Sequence, residues 1–150
     1  MTIQEYIDKI NTRYKSGITT EHSFRGDLQY LLESIVPEFL VTNEPTRIKC
    51  GAPDYIITKK NIPVGYIEAK DLGADLNNKI YKEQFERYRS SLNNLIITDY
   101  LTFQLFIDGE FKTSVSLGKI VGGKLIPNTN DYETFQNLIK SFCSFTGQTI

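Results

Sequence analysis

The order of hydrophobic periods along the chain constrains its fold more than any other feature. A helical period opens the sequence, with Ile3, Ile7, Ile10 and Tyr14 on one stripe between Thr2 and Lys15. Gly17 and Thr19-Thr20 break that segment and give a capping signal for a second helix. This helix, Glu21 to Ile35, buries Phe24, Leu28, Leu31, Leu32 and Ile35. Short β-like runs follow at Phe39 to Asn43, Asp54 to Thr58 and Val64 to Lys70, with the turn-like Lys59-Lys60-Asn61 between the last two. Lys79 to Leu92 returns to the helical period through Tyr81, Phe85, Tyr88 and Leu92. Leu95 to Thr98 and Thr102 to Ile107 read as strands, and Asp108-Gly109 is a two-residue hairpin signal that pairs Phe111 to Leu117 back. Asp131 to Phe145 reads as the last helix. This alternation predicts the α/β class, a mixed β-sheet flanked by helices, and 150 residues suit one domain with one core.

Composition removes several function classes. No apolar run is long enough to span a membrane, and no basic stretch followed by an apolar one marks a secretory signal. Cys50 and Cys143 lie far apart with no CxxC partner, so they read as reduced thiols of a cytoplasmic protein. The net charge of -1 argues against a domain that grips nucleic acid by itself, but not against one that a tethered partner delivers to DNA.

The chemistry starts at Glu68-Ala69-Lys70. An acid and a lysine two apart are a weak signal, since chance gives roughly 0.5 such pairs in a chain this long. The sequence carries its own decoy, Glu110-Phe111-Lys112, which follows a hairpin turn and should be solvated. Glu68 and Lys70 instead end the apolar run Val64-Gly65-Tyr66-Ile67, and residues two apart on a strand share a face. With the hairpin centred on Asn61, Asp54 and Glu68 are equally distant from the turn and stand opposite each other. Directly opposed side chains have Cβ atoms about 5 Å apart, and two like charges there call for a neutralising cation. Mg²⁺ takes one or two carboxylates and completes its shell with water and phosphate. Glu21 heads the stripe Phe24, Leu28, Leu31 and Ile35, which places an acid at the edge of the core, where it can also complement the helix dipole. The expectation is that Glu21, Asp54 and Glu68 converge, with Lys70 as the cation beside them. Gln84 and Tyr88, four apart, share one face of the helix after Lys70.

Pro53-Asp54 with Glu68-Ala69-Lys70 resembles the core motif of the PD-(D/E)xK nuclease superfamily, and Gln84-Phe85-Glu86-Arg87-Tyr88 resembles the Q-x-x-x-Y motif of its RecB-like branch. The stretches around Thr20 to Arg25, Gly51 to Asp54, Gly65 to Gly73 and Leu95 to Tyr100 are similar to the N-terminal nuclease domain of single-polypeptide restriction–modification enzymes, type I single-polypeptide or type IIG. The resemblance implies a restriction-endonuclease-like fold over residues 1–150 as one domain, a fragment of a longer polypeptide with methyltransferase and translocase or target-recognition domains. It implies a Mg²⁺-dependent deoxyribonuclease acting on double-stranded DNA, with Mn²⁺ able to substitute. Asp54, Glu68, Lys70 and Gln84 are the expected catalytic residues, and Glu21, Asp54 and Glu68 the expected metal-site residues. His22, Ser23, Arg25, Arg87 and Tyr88 are the expected nucleic-acid contacts. The competing reading is a non-cleaving DNA-binding or interaction module that keeps the nuclease fold.

Overall fold

The structure, a computed structural model, describes residues 1–43 and 51–145. Cys50 lies outside the described residues. The N-terminal helix α1 (Ile3–Lys15) starts at a capping box between Thr2 and Glu5. The segment read as one helix from Glu21 is a 3₁₀ turn, Glu21–Phe24, that runs into α2 (Arg25–Ile35). Strands β1 (Leu40–Asn43), β2 (Tyr55–Lys59) and β3 (Ile62–Ala69) follow. A second 3₁₀ turn, Lys79–Tyr81, leads into α3 (Lys82–Ser91). Then come β4 (Asn94–Thr98), β5 (Thr102–Ile107), β6 (Glu110–Ser116), β7 (Gly118–Val121), β8 (Lys124–Pro127) and α4 (Tyr132–Cys143).

Among the described residues six strands form one mixed sheet in the order β1-β2-β3-β4-β5-β6, flanked by four helices. Every pairing is antiparallel except β3 with β4. A parallel pair needs a crossover, and α3 supplies it. The larger core lies on the face covered by α1, α2 and α4, where Ile10, Leu28, Tyr55, Ile96, Phe103 and Phe135 are fully buried. On the opposite face Phe85 and Tyr88 of α3, with Leu92 at its C-cap, pack on Leu95, Ile97 and Phe106. β4 is therefore buried on both sides along its whole length, which is why it reads as a continuous apolar run. The hairpin β7–β8 stands apart from the main sheet. The sequence reading assigns no strands to it, although Gly122-Gly123, with φ of +57° and +76°, is a recognisable two-residue turn.

The β2–β3 hairpin sets the register of the site. Its turn is Lys60-Asn61, both left-handed, with φ of +51° and +66°. Lys59 pairs with Ile62 and Thr58 with Pro63, one residue out of phase with the expectation of a turn centred on Asn61. A bulge between Ile57 and Thr58 then shifts the ladder, so Ile57 meets Gly65, Ile56 meets Tyr66 and Tyr55 meets Ile67. The turn and the bulge together restore the register that sets Asp54 against Glu68. Because Tyr55, Ile57 and Ile67 face the larger core, Glu68 projects to the α3 side.

Gly65 allows α4 to close over this hairpin. A Cβ there would lie 2.4 Å from Cζ of the buried Phe142 and 3.0 Å from Asn94 Nδ2. Asn94 is itself buried and donates to the carbonyls of Val64 and Phe142, both at 2.7 Å. Gly65→Ala should therefore destabilise the protein by about 1–3 kcal/mol, the usual cost of overpacking, read as a lower midpoint in urea. An unchanged midpoint would show that α4 does not pack here.

Candidate active site

The strand end after Glu68 is stitched to its neighbours through the main chain. Lys70 N–H donates to the Thr98 carbonyl at 2.8 Å, continuing the β3–β4 ladder, and Leu72 N–H donates to the Thr19 carbonyl at 2.9 Å. Asp71 Oδ1 accepts the Glu21 N–H at 2.9 Å. These bonds hold the start of the 3₁₀ turn against the end of β3, so Glu21 lies beside the pair from the hairpin. Two buried tyrosines fix the same junction from below. Tyr55 donates to the Arg25 carbonyl and Tyr100 to the Glu21 carbonyl, each at 2.9 Å. Tyr100 does so from a left-handed backbone, φ +75°, in a turn whose amides at Leu101 and Thr102 are held by Asp99.

Asp54 and Glu68 are both buried. Asp54 Oδ2 accepts the Ala69 N–H at 2.7 Å, which fixes the carboxylate beside β3. Burial, then the neighbouring Asp54, push the Glu68 carboxyl up to about 8, against the pull of Lys70. Glu68 Oε1 is buried without a hydrogen-bond partner. Glu21 is raised as well, first by burial and then by Asp54, with Lys70 and Arg25 opposing.

Lys70 is caged. Its ammonium donates to Gln84 Oε1 at 2.6 Å and lies 3.3 Å from Glu68 Oε2. The rings of Tyr81 and Phe85 flank it at 4.9 and 5.6 Å, a cation–π arrangement. The decoy has nearly the same separation, 3.4 Å between Lys112 and Glu110, but its side chains are 47% and 78% exposed against 15% and 5% for Lys70 and Glu68. Burial and partners, rather than spacing, set the two pairs apart.

Arg25 departs from the expectation of Lys70 as the one cation. Its guanidinium lies 2.5 Å from Asp54 Oδ1 and 3.6 Å from Glu21 Oε1. It stands between the two acids, and no three His, Cys, Asp or Glu side chains among the described residues are grouped so as to hold a metal ion by themselves. The structure thus brings Asp54, Glu68, Lys70 and Gln84 together, while Glu21 joins them across Arg25.

The other expected contacts scatter. His22 is exposed on the 3₁₀ turn, and Ser23 Oγ shares a hydrogen bond with Thr20 Oγ1 at 3.0 Å. Arg87 is exposed on α3 and held by both oxygens of Glu83 at 2.7 and 2.9 Å. Tyr88 is only 2% exposed, with its ring against Gly51, so it is packed inside rather than presented to solvent. The sequence reading misses Tyr81, Phe85 and Asp71 as site residues. Phe85 and Tyr81 stand out there only as a helical stripe, whose commonest meaning is core. A cleft of about 630 Å³ opens elsewhere, between the end of α3 and the β5–β6 turn, and it contains none of these acids.

No described helix is long and apolar enough to cross a membrane. No protein-family model matches the chain, and no curated protein matches it. Among solved structures, it is similar to part of the DrdV–DNA complex determined by cryo-electron microscopy, with a TM-score of 0.71 and 23% identity over 97% of this chain. The chain spans 13% of that protein's length. At this identity the likeness concerns the fold: an α/β domain, a mixed six-stranded sheet with four flanking helices, that also occurs within DrdV.

Proposed function

We propose that the chain is a metal-dependent deoxyribonuclease module that hydrolyses phosphodiester bonds in double-stranded DNA. The observation that carries this reading is the buried Asp54–Glu68 pair with Lys70 held against it by Gln84. Burying two neighbouring carboxylates is costly, and such pairs cluster at functional sites. The likeness to a domain of a protein solved on DNA supports DNA as the partner. The motif resemblance supports a place as the cleavage module of a longer restriction–modification polypeptide, with methyltransferase and translocase or target-recognition domains supplying the target. The net charge of -1 is consistent with DNA affinity residing largely outside this module.

A divalent cation fits the residues present. Two carboxylates adjoin, and the orphaned Glu68 Oε1 lacks the partner that a cation would be. Asp54, Glu68 and the Ala69 carbonyl would hold Mg²⁺ or Mn²⁺, with Glu21 reaching it through water. The ion would supply positive charge at the scissile phosphate. The chain's own residues do the rest. Lys70 orients the attacking water and balances charge developing on the phosphate oxygens. Gln84 and the two rings fix the position of its ammonium. Exposed His22 and the half-buried Ser23 would meet the DNA backbone.

The test is incubation of supercoiled plasmid with Mg²⁺ or Mn²⁺, with and without EDTA. Nicking that EDTA stops supports the reading. Intact plasmid under both ions, with duplex DNA still bound, would favour a non-cleaving module. A narrower prediction concerns Gln84. Gln84→Ala should slow nicking about tenfold with no loss of folded stability, because it loosens Lys70 without removing it. Unchanged nicking would mean that Gln84 does not position the lysine.

A further inference from the structure

The geometry points to Arg25 as a resident counter-ion that must leave Asp54 before the site takes up a divalent cation. This inference rests on the metal-site reading above and adds the residue that controls it. Asp54 Oδ2 is committed to the Ala69 N–H at 2.7 Å. Oδ1 is therefore the oxygen open to an incoming ion, and the Arg25 guanidinium sits on it at 2.5 Å. The same group reaches Glu21 Oε1 at 3.6 Å, so one positive charge serves both acids on that side of the site. On the other side Lys70 neutralises only Glu68 Oε2, at 3.3 Å, and Glu68 Oε1 is left buried without a hydrogen-bond partner. The metal-free site thus sets two cations against three carboxylates around one unfilled position.

A divalent ion and a guanidinium cannot share one carboxylate oxygen cheaply, because water is largely excluded and their repulsion is weakly screened. The Arg25 carbonyl is pinned by Tyr55 at 2.9 Å, so release from Asp54 would be a rotation of the side chain with the backbone held. A DNA phosphate offers the released guanidinium a bidentate anionic partner. Metal uptake and DNA arrival are then linked through one side chain, and by reciprocity each raises affinity for the other.

The experiment measures Mn²⁺ affinity by calorimetry without DNA, on the parent chain, Arg25→Gln and Arg25→Lys, with a thermal melt in EDTA confirming that each is folded. Arg25→Gln should bind Mn²⁺ on the order of tenfold more tightly than the parent. Arg25→Lys keeps the charge but not the reach, so it should fall between the two. It carries the test by itself if Arg25→Gln does not fold in EDTA. Equal or weaker Mn²⁺ binding by the folded variants, with the parent binding, overturns the role of Arg25 and leaves the metal site standing. No Mn²⁺ binding by any of the three overturns the metal-site reading, and this inference with it.

Discussion

Lys70→Ala should slow plasmid nicking by roughly 100- to 10,000-fold, the range spanned by a positioned acid–base group, while Lys112→Ala cleaves like the parent. The comparison is controlled by the protein itself. Both lysines lie two residues beyond a glutamate on a β-strand, with ion-pair separations of 3.3 and 3.4 Å. They differ in what surrounds them. Lys70 is held by Gln84, Glu68 and two aromatic rings next to a buried acid pair, and Lys112 extends into solvent beside Glu110. Removing Lys70 leaves the Asp54–Glu68 pair with less positive charge, so the melt of Lys70→Ala should be recorded alongside its activity. A folded Lys70→Ala chain that nicks as fast as Lys112→Ala would end the assignment of Glu68-Ala69-Lys70 as catalytic.

Glu68 should make the metal-free protein less stable as pH rises, and Glu68→Gln should abolish the effect. Burial and Asp54 raise this carboxyl to about 8, above the ordinary glutamate value that it regains on unfolding. The folded state therefore binds the proton more tightly. Its stabilisation is fully present below the unfolded pKa and is lost as pH climbs through the folded one. Between pH 6 and pH 8.5 the loss is ~2 kcal/mol, or roughly 4–8 °C in melting temperature for a domain of this size. A protonated Glu68 can also donate to Asp54, and the glutamine preserves that donor without the charge. Glu68→Gln should thus melt at or above the parent in EDTA at pH 8.5. It should also lose most of the gain from Mg²⁺ or Mn²⁺, which for the parent reaches about 2.7 kcal/mol at a hundredfold excess over the dissociation constant. Asp54→Asn should behave differently, although sequence reasoning alone would choose it as the variant that relieves repulsion. Asp54 anchors Arg25 and accepts the Ala69 N–H, so its neutralisation strands a largely buried guanidinium and lowers the metal-free melt. Thermal melts of the three proteins at two pH values, with EDTA and with excess ion, separate these outcomes. A parent melt that rises from pH 6 to 8.5 in EDTA would contradict the account of Glu68.

The sequence by itself determined the α/β class, the four helices and the face shared by Glu68 and Lys70. All of these follow from local periods: 3.6 residues for a helix, two for a strand, and a two-residue turn at Asp108-Gly109. It also set Asp54 opposite Glu68, although by a different route from the one the chain takes. The turn is Lys60-Asn61, and the bulge next to Ile57 makes up the missing residue. A bulge leaves no reliable mark in residue order, because any strand residue can be the extra one. Only the tertiary structure decided what surrounds the acids. A guanidinium is long enough to reach outward to phosphate or inward to a carboxylate, and nothing near Arg25 in sequence reveals that Asp54, 29 positions away, lies within its reach. The grip of Tyr100 on the Glu21 carbonyl joins residues 79 apart. The cage of Tyr81 and Phe85 around Lys70 depends on α3 crossing over the sheet between β3 and β4. Such contacts are fixed by how helices pack on a sheet, a property of the assembled layers rather than of any one segment.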